Sequence, residues 1–188
     1  MKYNPDMHHR RSIRLKHYDY SQSSAYFVTI CTQNKTCFFG DVVDGEMRLS
    51  DAGDMTLQVW NELPFYYPNV TLDEFVVMPN HVHGILNISN VGAQFIAPAV
   101  DNMFVSRNGV MNQNQSVINH APTVGKIVRT FKARCTYMIN EFRNTRGALL
   151  WQRNYYEHVI RSEPELDKIR EYIVNNPLNW REDENYMS

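Results

Sequence analysis

The chain has 188 residues, is 43% hydrophobic and 12% aromatic, and carries 19 Lys+Arg against 20 Asp+Glu, a net charge of -1. That much apolar material excludes a disordered or fibrous protein and fits one domain over residues 1–188. The near-balance of charge excludes a globally basic nucleic-acid binder but leaves room for a local basic face. No apolar run approaches the roughly 18 residues of a membrane span, and the first residues lack the apolar centre of a secretory signal. Cys31, Cys37 and Cys135 are too few and too irregular for a disulfide framework or a CxxC zinc site, so three reduced thiols in a cytoplasmic protein are expected.

The amino-terminal segment is basic around Arg10, Arg11, Arg14 and Lys16. It reads either as a solvated arm or as an arm that pairs guanidinium groups with phosphate oxygens. Tyr26 to Thr32 is β-branched and aromatic, and predicts a strand. Asp51 to Leu63 has helical spacing behind a Ser50 cap, and Pro64 ends the pattern. Leu72 to Met78 and His81 to Ile88 read as two strands joined at Pro79-Asn80, a hairpin. Residues 89–121 are rich in Asn, Val and Ala without a sustained period, and predict a long flexible insertion.

Thr123 to Phe142 is the clearest helix. Val124, Ile127, Val128, Phe131, Cys135, Met138 and Phe142 share one face. Lys126, Arg129, Lys132 and Arg143 lie roughly opposite, and Glu141 is the one acid between Pro122 and Gly147, a bias that favours an anionic partner. Trp151 to Arg161 predicts a strand. Ser162-Glu163-Pro164-Glu165 is a capping box that opens a helix to about Asn176, with Leu166, Ile169 and Ile173 towards the core and Pro177 as the stop. The order βαββαβ plus one helix predicts an α+β fold: a ferredoxin-like (split βαβ) antiparallel sheet with an added C-terminal helix.

His81-Val82-His83 lies on a strand, where alternate side chains share a face roughly 6–7 Å apart at Cα, so both imidazoles can chelate one divalent cation. Tyr172 and Asn176, four residues apart, share a face of the final helix. If that helix covers the histidines, one site holds a cation, an amide oxygen and a phenol. A phenol, with a pKa of about 10, is a weak nucleophile at neutral pH and needs an activated substrate. A divalent cation on a phosphate oxygen provides that activation, and attack on a phosphodiester would leave a phosphotyrosine.

Pro79-Asn80-His81-Val82-His83 resembles the His-hydrophobic-His signature of single-tyrosine transposases. Trp151-Gln152-Arg153-Asn154-Tyr155-Tyr156-Glu157-His158, followed by Tyr172-Ile173-Val174-Asn175-Asn176-Pro177, resembles the C-terminal pattern of the REP-associated tyrosine transposases, relatives of the insertion-sequence-200 transposases. The resemblance runs from about Arg10 to Trp180, apart from the segment 89–121. It implies an HUH-endonuclease domain with His81, His83 and Asn176 as ligands of Mg²⁺ or Mn²⁺ and Tyr172 as nucleophile. The implied reaction cleaves single-stranded DNA beside a hairpin, leaving a 5′-phosphotyrosine and a free 3′-OH that a later attack can rejoin. Family members commonly act as dimers, and some of this branch as monomers.

Other residues stay open on sequence alone. Tyr155 and Tyr156 are rival nucleophiles, base-stacking groups or, for one of them, core, and His158 is a buried structural group, a general acid/base or a group that supports the catalytic residues. Arg10, Arg11, Arg14, Lys126, Arg129 and Lys132 are candidate DNA contacts. Two other functions fit the same residues: a non-catalytic nucleic-acid-binding protein of this fold, and a hydrolase in which metal-bound water attacks.

Overall fold

The computed structural model describes residues 24–89 and 122–186. Its main sheet is made of β1 (Ser24–Cys31), β4 (Val70–Val77), β5 (His81–Ile88) and β6 (Tyr156–Ile160). The strands lie in the order β4-β5-β1-β6, and every neighbouring pair is antiparallel. Between β1 and β4 come a small hairpin, β2 (Gly40–Val43) and β3 (Glu46–Leu49), and the helices α1 (Asp51–Asn61) and α2 (Leu63–Tyr66). Helix α3 (Val124–Arg143) precedes β6, and α4 (Glu163–Asn175) follows it.

Each long helix starts where a side-chain oxygen meets a free backbone N–H. Ser50 Oγ accepts from Gly53 N, Thr123 Oγ1 from Lys126 N, and Ser162 Oγ from Glu165 N. Asn144, in the left-handed region at φ 53°, ends α3.

Alternation along the strands splits the apolar residues between two faces. Tyr26, Val28, Ile30, Val82, Leu86 and Val159 join the larger core, with Trp60 of α1 and Ile127, Phe131 and Cys135 of α3. On the other face, Phe27, Ile85 and Ile160 meet Leu166, Ile169 and Ile173 of α4. The helix carrying Tyr172 and Asn176 therefore covers the sheet face opposite α1 and α3.

The small hairpin is absent from the sequence-based expectation. Its turn is Asp44-Gly45, at φ 54° and 80°, the backbone sign that a two-residue hairpin turn requires. Pro64 does not simply stop a helix, because it opens the short α2. The expected strand at Trp151 is also shorter. Trp151 makes an isolated bridge to Thr32, and the ladder resumes at Tyr156. In the gap, the Gln152 and Asn154 carbonyls accept from Lys132 Nζ instead of from a strand, at 2.8 and 2.9 Å. Phe142, expected in the core, is 56% exposed, and Ile139 is buried instead.

Gly84 is the position where Trp60 lies against the sheet. A Cβ there would sit 2.5 Å from Trp60 Cζ2 and 2.8 Å from Phe75 Cδ2. The two rings are already stacked at 4.3 Å between centroids, so neither has room to withdraw. Gly84→Ala should cost about 1–3 kcal/mol by overpacking. Urea unfolding reads this as a lower midpoint; an unchanged midpoint would mean that the Trp60 contact is loose.

Candidate active site

His81 and His83 stand on β5 beside β1, with Cys31 opposite His81 and Thr29 opposite His83. Both imidazoles are buried, at 0% and 2% exposure. The Asn80 amide donates from Nδ2 to the carbonyls of Lys35 and Asn185, which turns its Oδ1 to His81 Nδ1 at 2.8 Å. His81 therefore carries its proton on Nδ1 and presents a lone pair at Nε2. Thr29 Oγ1 lies 2.8 Å from His83 Nδ1 and can accept its proton, so His83 can also present Nε2. The two Nε2 atoms lie 3.0 Å apart.

At that separation the pair either shares one proton in a neutral N–H···N hydrogen bond or presents two lone pairs that a cation can take up. With metal–nitrogen bonds of roughly 2.0–2.1 Å, two ligands at right angles would be about 3 Å apart, so the pair is spaced for a shared cation. Burial opposes the alternative of charging the rings. It lowers the His81 pKa to about 4, and burial together with its neighbour His81 lowers that of His83 to about 3.

Helix α4 brings the other groups. Tyr172 Oη lies 3.2 Å from His83 Nε2. Its ring stands edge-on to Phe27 at 6.1 Å and to His83 at 5.2 Å. Burial, followed by the charge of Asp183, raises the phenol pKa to about 12. Asn176 is buried and donates from Nδ2 to Asp183 Oδ2 at 3.2 Å, while its Oδ1 is buried without a hydrogen-bond partner. Such an orphaned oxygen is costly unless a ligand uses it. Two imidazole nitrogens and a free amide oxygen are a donor set that fits a divalent cation. Asp183 lies in the same cluster, a carboxylate oxygen within 4.8 Å of an imidazole nitrogen of each histidine.

The site opens into a cavity of about 490 Å³, bordered by Phe27, Thr29, His83, Tyr156 and Tyr172. The structure thus brings together His81, His83, Tyr172 and Asn176 on one sheet face. It separates the rival tyrosines: Tyr156 is 57% exposed at the cavity rim, whereas Tyr155 donates its hydroxyl to Glu157 at 2.7 Å and packs against the larger core. His158 Nε2 pairs with Glu165 Oε1 at 2.7 Å, and Glu165 Oε2 accepts from Arg161 N, so His158 belongs to the network that starts α4.

The expected DNA contacts fare differently. Lys132, half-buried, donates from Nζ to two carbonyls, and burial lowers its pKa to about 8, so part of its hydrogen-bonding capacity is used within the chain. Lys126 lies over the Tyr67 ring, and Arg129 borders a second groove with Arg153 and Leu149. Arg10, Arg11, Arg14 and residues 90–121 lie outside the described residues. No helix among the described residues is long and apolar enough to cross a membrane.

The sequence reading missed Asn80, Thr29 and Asp183 as parts of the site. Asn80 adjoins His81 and was legible as a neighbour. Thr29 is recognisable only from strand register, and Asp183 sits in the run Glu182-Asp183-Glu184, which looks like a solvated tail.

Helix α4 is clamped to the edge strand by a two-pronged ion pair. Arg170 Nε meets Asp73 Oδ1 at 2.9 Å and Nη2 meets Oδ2 at 2.7 Å, at the irregularity between Leu72 and Phe75. The guanidinium hydrogen bonds hold the Asp73 carboxyl below its ordinary range. Arg170 lies two residues before Tyr172, so the clamp fixes how the phenol meets His83. Arg170→Ala should slow any Tyr172-dependent reaction by between about 10- and 100-fold while leaving metal affinity unchanged. An unaltered rate would show that packing alone positions the helix.

No protein-family model matches the chain. An uncharacterized protein of Haemophilus influenzae (strain ATCC 51907 / DSM 11121 / KW20 / Rd) is 42% identical over 193 residues, covering 99% of this chain and 98% of the relative. A second protein of that strain, whose name suggests a REP-associated tyrosine transposase, is 21% identical over 160 residues, covering 85% of this chain and 73% of the relative. Among solved structures, a REP-associated tyrosine transposase bound to a REP hairpin matches with a TM-score of 0.56 and 15% identity, covering 89% of this chain and 74% of that one. At that identity the likeness establishes a shared fold: a mixed α+β architecture on an antiparallel sheet.

Proposed function

We propose that this chain, which belongs to one family with the uncharacterized Haemophilus influenzae protein, is a metal-dependent transposase that cleaves and rejoins single-stranded DNA beside hairpin-forming repeats. The single observation that carries this reading is the Tyr172 hydroxyl 3.2 Å from Nε2 of a buried His83 that faces His81. The strand order β4-β5-β1-β6, all antiparallel, supports the ferredoxin-like split βαβ arrangement of an HUH domain. The hairpin substrate is suggested by the REP hairpin bound to the transposase of the same fold.

In this reading His81, His83 and Asn176 hold Mg²⁺ or Mn²⁺, which when bound polarises the scissile phosphate and offsets its charge. Asn80 and Thr29 keep the two imidazoles in the tautomer that presents Nε2. Tyr172 Oη attacks phosphorus and the bond to the 3′ oxygen breaks, leaving a 5′-phosphotyrosine and a 3′-OH. Tyr172 is 45% exposed and borders the cavity, so its proton can pass to water there. Its pKa of about 12 leaves it protonated at neutral pH, so the proton must leave as Oη bonds to phosphorus. The exposed Tyr156 at the rim, edge-on to Phe27 at 6.2 Å, offers a surface on which an unpaired base can stack.

Incubation with Mn²⁺ and end-labelled hairpin DNA tests the proposal. A protein–DNA band that survives denaturant is expected. Salt-sensitive binding without that band would instead favour a nucleic-acid-binding protein, and free cut DNA without it would favour attack by water.

A further inference from the structure

We infer that Asp183 is an additional protein ligand of the cation, joining His81 and His83 through its carboxylate. This inference rests on the cation reading of the His pair given above. One ligand atom from each of His81, His83 and Asp183 lies within 4.8 Å of the others.

The carboxylate is held in place, not swept there by a loose tail. Asp183 Oδ1 accepts from Asn185 N at 2.6 Å, and Oδ2 accepts from Asn176 Nδ2 at 3.2 Å. The segment that carries it is fastened on both sides. Lys35 Nζ donates to the Glu184 carbonyl, and Asn80 Nδ2 to the Asn185 carbonyl, at 2.9 and 2.8 Å. Trp180 is 9% exposed and lies 5.9 Å from His81 and 5.3 Å from Tyr186 between ring centroids. Asn80 thus aligns His81 and tethers the Asp183 segment with one amide.

The chemistry of the donor set gives the carboxylate a purpose. Two neutral imidazoles and an amide bring no charge to the site, and nitrogen ligands alone suit zinc at least as well as magnesium or manganese. A carboxylate adds a hard oxygen and one negative charge, which is what Mg²⁺ and Mn²⁺ prefer. Asn176 then serves both groups. Its Nδ2 orients the carboxylate while its unpartnered Oδ1 remains available to the cation.

The test is Mn²⁺ titration of the full chain, followed by the electron paramagnetic resonance signal of the free aquo ion, without DNA. Asp183→Asn keeps the side chain's size and an acceptor oxygen for Asn185 N. It should weaken Mn²⁺ binding by at least about tenfold, with the metal-free melting temperature lowered only by the lost acceptor for Asn176 Nδ2, whereas His83→Ala should abolish binding. Should Asp183→Asn fail to fold, Asp183→Ser is read in the same titration. Wild-type affinity in a folded Asp183 variant, with binding lost in His83→Ala, would overturn the role of Asp183 alone. No binding by the wild type, or full binding by His83→Ala, would overturn both this inference and the cation reading beneath it.

Discussion

Replacing Tyr172 by phenylalanine should remove the denaturant-stable protein–DNA product. The substitution deletes the Oη that lies 3.2 Å from His83 Nε2 and keeps the ring that stands edge-on to Phe27 and His83. The ring is 45% exposed, so stability should change by no more than about 0.5 kcal/mol. The expected loss of product is on the order of 10³-fold or more, as when a nucleophile is removed from a catalytic unit. Hairpin affinity, measured by gel shift in the presence of Mn²⁺, should stay within a factor of about two of wild type, since phosphate and stacking contacts are untouched. A Tyr172→Phe protein that still forms the adduct at more than a tenth of the wild-type rate would place the chemistry on another residue.

The second large effect concerns the histidine pair. His81→Ala and His83→Ala should each abolish adduct formation, and EDTA should do the same to the wild type, with recovery on addition of Mn²⁺. Each substitution also strands a partner, the buried Asn80 Oδ1 for His81 and the half-buried Thr29 Oγ1 for His83. A stability loss of about 1–3 kcal/mol is therefore expected, and melting curves must accompany the activity. The pH dependence of the metal-free protein carries the same signature. The folded pKa values, about 4 and about 3, lie below the ordinary 6.5. Between those limits the unfolded chain binds more protons than the folded one, so stability falls as pH drops from 6.5 towards 4. The slope of melting temperature against pH in that window should be smaller in His83→Ala than in wild type. An equal slope would mean that the acid sensitivity comes from other groups, and an EDTA-resistant adduct would remove the cation from the chemistry.

Long periodic segments were legible before any coordinates. Helix α3 shows its buried stripe from Val124 to Cys135, and Leu166, Ile169 and Ile173 of α4 meet the sheet as their spacing requires. The stripe misleads at Phe142 because periodicity records which side a residue takes, not how far the underlying core extends; the last turn of α3 is solvated. The Asp44-Gly45 turn was readable as a hairpin, but its strands of four residues each carry too little alternation to announce themselves. Trp151 to Tyr155 looks like strand because its residues favour extended backbone. Where the ladder breaks, the Gln152 carbonyl is taken by Lys132, 20 residues away in sequence.

The site divides in the same way. His81 and His83 share a strand face by alternation, and Tyr172 and Asn176 share a helix face by the helical repeat, so each half is local information. Arg170 meets Asp73 across 97 positions where α4 crosses the sheet, and the segment carrying Asp183 is tethered to Lys35 and Asn80. Neither contact leaves a trace in local pattern.

The most direct measurement is the chemical location of the bond between protein and DNA. The adduct formed with Mn²⁺ and hairpin DNA is digested with nuclease and protease, and the peptides are sequenced by mass spectrometry. The account predicts a nucleotide joined through its 5′ phosphate to the peptide containing Tyr172. Attachment to Tyr155 or Tyr156, or cleaved DNA with no nucleotide on any peptide, would contradict it.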